Sequence, residues 1–210
     1  AYGTLFDVNS AAKKCKDKIG AKWETFANFW RTTQLEYTWL RSLMKRHKNF
    51  WDITEDSLDK SMKVFNINKN MKKELLSLYK ILSPYPEVKG VLEDLKKKNF
   101  KLAILSNGTL DLLNELVESN KLNNLFDDLF SIEEVKIYKP DPRVYEIPIK
   151  KYKIKSDEIT FLSANTWDVS GGGNFGYNSI WVNRHNSVFD ILDFQPKNEI
   201  SNLTQLLDIV

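Results

Sequence analysis

Hydrophobic positions fall into two textures along this chain. From about residue 10 to residue 82 they recur at three- to five-residue spacing: Trp23, Phe26 and Trp30, then Leu35 and Trp39, then Leu40, Leu43 and Met44. This spacing predicts helices whose tryptophans and leucines form a bundle core. Thr54, followed by Glu55 and Asp56, reads as an N-cap with an acidic first turn leading into Leu58, Met62 and Phe65. Asn70 reads as the cap of a further helix carrying Leu75, Leu76, Leu78, Tyr79 and Leu82. Ser83-Pro84-Tyr85-Pro86 then ends the helical texture, because the prolines favour extended backbone.

Beyond Pro86, short apolar runs alternate with helical periodicity. Val88, Val91, Leu92 and Leu95 predict a helix, residues 101–105 a buried strand, and 110–118 another helix. Strands are predicted near 129–131, 159–162 and 179–182, with a helix after Pro142 and a closing helix over 203–209. Such alternation predicts an α/β fold: a doubly wound parallel sheet, a Rossmann-like core, covered by helices on both faces. A short N-terminal strand belongs with this half. The expected organisation is therefore a core of residues 1–10 and 85–210, with residues 11–84 as a helical cap inserted after strand one.

Composition narrows the class. At 210 residues, 42% hydrophobic and 28% charged, the chain reads as an ordinary globular protein, either one domain or a core with an insertion. No apolar run approaches the roughly 18 residues of a membrane helix. A net charge of +3 with scattered lysines argues against nucleic acid as a partner. The densest run, Lys96-Lys97-Lys98, falls where a helix should end, the place that the helix dipole favours for cations. A lone Cys15 excludes an intrachain disulfide and suits a reducing cytoplasm. His47 and His185 are the only histidines and read as surface or cap residues; neither sits in a triad motif, and no His or Cys cluster could hold a metal.

Ligands of doubly wound sheets bind beyond the carboxyl ends of the strands. The groups that fall there are Thr4, Ser106-Asn107-Gly108, Lys139-Pro140-Asp141 and Ser163-Ala164-Asn165-Thr166-Trp167-Asp168. Alone, each reads as a turn or helix cap. In this order, with Tyr2-Gly3-Thr4-Leu5-Phe6-Asp7 ahead of them, they resemble the four motifs of the haloacid dehalogenase superfamily over nearly the whole chain.

Individual positions point to one branch. The superfamily is mostly magnesium-dependent phosphatases, which carry a second aspartate as general acid where this chain has Tyr2, and a metal-binding carboxylate where it has Ser163. A phenol, with a reference pKa of about 10, is a poor proton donor near neutral pH. Magnesium prefers carboxylate oxygens, and phosphoryl transfer needs it. Both changes match the L-2-haloacid dehalogenases, as does the segment from Phe29 through Trp30-Arg31-Thr32-Thr33-Gln34-Leu35 to Arg41.

That resemblance implies a metal-free, cofactor-free hydrolase that converts an L-2-halo acid to a D-2-hydroxy acid and halide through an aspartyl ester. It places the nucleophilic aspartate immediately before Ala1, outside this sequence. It implies that Arg31 stabilises the departing halide and that Lys139 holds the nucleophile charged. Ser106 and Asn107 bind the substrate carboxylate or position the nucleophile, with Thr4 in support. Asp168 is the base for water, ordered by Ser163 and Asn165, and Tyr145 stands behind them. Tyr2, Leu35, Phe50 and Trp167 form the apolar wall, while Arg41 keeps the reading of a surface arginine. Family members are commonly homodimers. The competing readings are a superfamily phosphatase and an inactive member that serves as a binding protein.

Overall fold

The fold is described from a computed structural model covering residues 1–210. Helices come first: α1 (Ser10–Lys14), α2 (Lys16–Ile19), α3 (Trp23–Leu43), α4 (Phe50–Phe65) and α5 (Lys72–Lys80). After α6 (Val88–Lys97) the chain alternates: β1 (Ala103–Ser106), α7 (Leu110–Ser119), β2 (Asp128–Ser131), α8 (Pro142–Tyr152), β3 (Thr160–Ser163), α9 (Thr166–Phe175), β4 (Asn178–Val182) and β5 (Asn198–Ile200). The closing segment Leu203–Asp208 is 3-10 rather than α-helical, and β5 had no periodicity to announce it. No helix is long and apolar enough to cross a membrane.

Local chemistry moves two of the predicted helix starts. Asn49, not Thr54, caps α4, its side chain accepting from the Asp52 N–H at 2.8 Å. Thr54 lies buried inside the helix and donates back to the Phe50 carbonyl at 2.7 Å, the usual recourse of a mid-helix threonine. Asn68, not Asn70, caps the 3-10 turn Lys69–Met71 that leads into α5. The apolar stripe of α3 also needs correction. Phe26, Ala27, Trp30, Thr33, Gln34 and Thr38 form its buried face, whereas Leu40, Leu43 and Met44 point outward. The lysine run does close a helix: Lys96 and Lys97 occupy the last turn of α6.

Every ladder is parallel. β1 pairs with β2, and β3 with β4, which pairs with β5. α7 packs on β2, and α9 on β3 and β4. The strands nevertheless form two sheets, and between their inner strands β1 and β3 runs an apolar groove of about 510 Å³. Ala103, Ile104 and Leu105 line one side, Phe161 and Leu162 the other, and Ala1, Thr4 and Leu5 also line it. Residues 1–10 do not form the expected strand. Gly3, at φ 82°, turns the chain, the Ala1 carbonyl accepts from the N–H groups of Thr4, Leu5 and Phe6, and only isolated bridges form, at Tyr2–Phe6 and Phe6–Pro84. One hydrophobic cluster continues from Phe26 and Leu58 through Tyr2 and Phe6 to Leu113 and Ile180, so the first helices and the sheet region share a core. Each such fully buried large side chain stabilises by about 1.5–3 kcal/mol.

Candidate active site

Parallel strands bring distant loops to one end. Ser106 ends β1, Ser163 ends β3, Asn165 is the N-cap of α9, and Asp168 lies in its first turn. Lys139 precedes α8, whose start is fixed by Asp141 accepting from the Arg143 N–H and by Pro142 in the first turn. Thr4 sits in the N-terminal turn, its hydroxyl accepting from the Ala164 N–H at 3.0 Å.

The centre of the cluster is Lys139. Its Nζ lies 3.1 Å from Asp168 Oδ1 and donates to Asp168 Oδ2 at 3.2 Å and to the Leu105 carbonyl at 3.0 Å. Its backbone N–H donates to Asn107 Oδ1 at 3.2 Å, and the ammonium stands 4.7 Å from the centroid of the Phe161 ring. Burial lowers the Lys139 pKa, with Asp168 opposing. The Tyr145 hydroxyl donates to Asp168 Oδ1 at 2.8 Å. Burial, then the neighbouring carboxylate, raises the pKa of this phenol, so it stays a protonated donor. Tyr145 therefore touches the proposed base directly. Close approach is what requires glycine at 171, where a Cβ would lie 2.6 Å from the Tyr145 hydroxyl.

The serines have matching local roles. Ser106 Oγ accepts from the Gly108 N–H at 3.1 Å, and Ser163 Oγ from the Asn165 N–H at 3.2 Å. Each hydroxyl thus orders the turn after its strand and keeps its own proton free to donate. Asn165 Nδ2 donates to the Tyr2 carbonyl at 3.5 Å. Ser106 has no bond to the Lys139–Asp168 pair; its neighbours Leu105 and Asn107 make that link.

The N-terminal turn lies beside this cluster, the Tyr2 carbonyl accepting from Asn165 and the Thr4 hydroxyl from the Ala164 N–H. Arg31 reaches the same region from α3 and donates to Gln34 Oε1 at 2.8 Å. Tyr2 packs on Phe50 (centroids 5.4 Å apart) and Tyr79 (5.8 Å). Trp167 meets Trp39 edge to face at 5.4 Å. Leu35 lies four residues after Arg31 and four before Trp39, and so on the same helix face. Arg41 pairs with Asp56 at 3.4 Å, away from the cluster.

Several contributors escaped the sequence reading. His47, within the segment predicted as the cap, hydrogen-bonds Glu133 at 3.1 Å and stacks on Tyr138, joining the α3–α4 connection to the loop after β2. Arg184 donates to the Thr4 carbonyl at 2.8 Å, pairs with Glu87 at 2.7 Å and lies 3.7 Å from the Tyr85 ring centroid. No local signal marks it, since 180 positions separate the hydrogen-bonded pair. Gln34 could have been found, because it follows Arg31 at the i+3 spacing of helical neighbours.

Comparison with known proteins agrees with this arrangement. Residues 4–182 match the family model described as haloacid dehalogenase-like hydrolase. The chain is 38% identical over 209 residues to (S)-2-haloacid dehalogenase 4A of Burkholderia cepacia, covering 98% of this chain and 90% of that protein. It superimposes on a dehalogenase crystal structure with a TM-score of 0.98 at 36% identity, covering 100% of this chain and 94% of that one. It also superimposes on the L-2-haloacid dehalogenase of Xanthobacter autotrophicus with chloropropionic acid covalently bound, at a TM-score of 0.92 and 29% identity, over 100% and 95% of the two chains. The chain belongs to the haloacid dehalogenase-like hydrolases.

Proposed function

We propose that the protein is an (S)-2-haloacid dehalogenase that hydrolyses L-2-halo acids to D-2-hydroxy acids. The observation that carries this reading is the buried Lys139–Asp168–Tyr145 cluster beside the N-terminal turn, with Arg31 reaching toward it from the helical cap. An aspartate directly before Ala1, borne on a strand lying in the groove between β1 and β3, would bring its carboxylate to these cations.

In the first step the carboxylate attacks C2, the carbon–halogen bond breaks with its electron pair leaving on halide, and an ester forms. Lys139 keeps the nucleophile ionised, and Arg31 meets the charge growing on the halide. The free hydroxyl proton of Ser106 and the Asn107 amide are suited to the substrate carboxylate or to orienting the nucleophile, with Thr4 in support. In the second step Asp168 takes a proton from water, which attacks the ester carbonyl and releases the hydroxy acid. Tyr145 and Lys139 orient Asp168, while Ser163 and Asn165 order the turn beside it. Tyr2, Leu35, Phe50 and Trp167 keep the cleft apolar, which strengthens attack by a charged carboxylate.

The donor set does not suit magnesium. Tyr2 and Ser163 stand where a magnesium site would carry carboxylates, and Asp168 is already engaged by Lys139 and Tyr145. Metal-independent hydrolysis without a cofactor is therefore part of the proposal. So are a cap of residues 11–84 on a core of 1–10 and 85–210, a cytoplasmic location and a homodimer, on the family pattern. The test is chloride release from L-2-chloropropanoate by the protein carrying the preceding aspartate. Equal amounts of chloride and D-lactate support the reading, whereas binding without turnover would make the chain a binding protein.

A further inference from the structure

Within residues 1–210 Arg31 makes no direct ion pair. Neither its hydrogen bond nor any ion pair of the molecule joins it to Asp or Glu. Burial lowers its pKa, with the Tyr79 and Tyr2 hydroxyls and, last, Asp168 opposing. Such a group needs polar support, since a buried guanidinium with unsatisfied N–H groups is costly. The support comes from a side-chain chain inside the helical cap. Arg31 Nη1 donates to Gln34 Oε1 at 2.8 Å, and Gln34 Nε2 donates to Thr54 Oγ1 at 2.6 Å and to the Tyr79 hydroxyl oxygen at 3.0 Å. Gln34, Thr54 and Tyr79 are all buried.

The direction of this chain is fixed from its far end. Thr54 has one proton, and it is committed to the Phe50 carbonyl 2.7 Å away. Thr54 Oγ1 must therefore accept from Gln34, which turns the amide nitrogen inward and its oxygen toward Arg31. The oxygen that meets the guanidinium is uncharged. A carboxylate there would form a charge-assisted pair and absorb much of the field of the arginine. A neutral amide aims the group and leaves its charge intact.

We propose that Gln34, locked by Thr54 and Tyr79, is a positioning residue that presents Arg31 to the halide without itself neutralising its charge. This inference rests on the proposed function, in which Arg31 receives the leaving group.

The experiment measures bromide binding by titration calorimetry, and single-turnover ester formation from 2-chloro- and 2-bromopropanoate. It uses the protein with the preceding aspartate, its Q34E and Q34M variants, and R31K as the reference. Q34E, nearly isosteric, should weaken bromide binding by at least about tenfold, the scale of one charge-assisted contact. It should slow ester formation more for the chloride, the poorer leaving group, and leave hydrolysis of the formed ester unchanged. A purely structural role would slow both steps alike. If Q34E does not fold, as judged by circular dichroism, Q34M should show the same selective loss, because it removes the acceptor without adding charge. Parent-like bromide affinity in the folded variant, with R31K impaired, overturns the role of Gln34 alone. If R31K also binds bromide normally, the halide role of Arg31 fails instead.

Discussion

Lys139 and Asp168 form an ion pair at 3.1 Å, with side chains only 4% and 8% exposed. Lys139 lies in the loop before α8 and Asp168 in the first turn of α9, 29 positions apart, and they meet because α8 and α9 pack together at one end of the strands. Such a pair ties local folding to chemistry, since each charge is tolerable in the dry site only while the other is present.

Removing one partner should therefore be costly. Lys139→Met leaves Asp168 buried without its cation, and urea unfolding should show a loss of about 3–5 kcal/mol. Unchanged stability would mean that water already solvates the pair.

Gly171→Ala tests the support of the base. The new methyl would stand 2.6 Å from the Tyr145 hydroxyl and 2.7 Å from Pro140 Cβ, so Tyr145 must leave Asp168. A displacement of this order should slow ester hydrolysis by about 10²-fold with less effect on halide release, measured by rapid quench. Equal slowing of both steps would show a general distortion of the fold.

The nucleophile can be located by isotope. In ¹⁸O-labelled water, a single turnover should place the label in the carboxylate of an aspartate next to Ala1, as read by mass spectrometry of the N-terminal peptide. Label in the hydroxy acid alone would mean direct attack by water and would remove that aspartate from the mechanism.

Stereochemistry follows from the same geometry. Displacement by a carboxylate fixed on one face inverts C2 once, and hydrolysis at the ester carbonyl leaves that centre untouched. Chiral chromatography should find only D-lactate from L-2-chloropropanoate. L-lactate, or equal use of both enantiomers, contradicts a single inverting attack.

Dehalogenation should persist after exhaustive chelation, because Asp168 is held by Lys139 and Tyr145 and Ser163 stands where a magnesium site would carry a carboxylate. Strong stimulation by magnesium, together with hydrolysis of phosphate monoesters, would return the chain to the phosphatases.

The chain's own pattern determined much of this protein. The change from helical spacing to short apolar runs after Pro86 marked the boundary between helical segment and parallel strands, because burial on one face of a helix and on both faces of a strand leaves different periodicities. That Ser106, Lys139 and Asp168 gather at one end of the strands was legible because strand ends in such a fold converge on one side, while the roles expected of them came from the order of the motifs and the resemblance it carries. What the pattern could not decide depended on partners distant in sequence. Leu40, Leu43 and Met44 fit a helical stripe but lie outside, since which face of α3 is buried depends on what packs against it. Thr54 has the composition of an N-cap, yet Asn49 takes that role and Thr54 instead anchors the polar chain to Arg31. The Arg184 grip on Thr4 and the contact of Tyr145 with Asp168 exist only once the loops are assembled. Residue type and order set the elements and the inventory of charges; tertiary structure decided which charges are paired, as Lys139 with Asp168, and that Arg31 is held by a neutral amide.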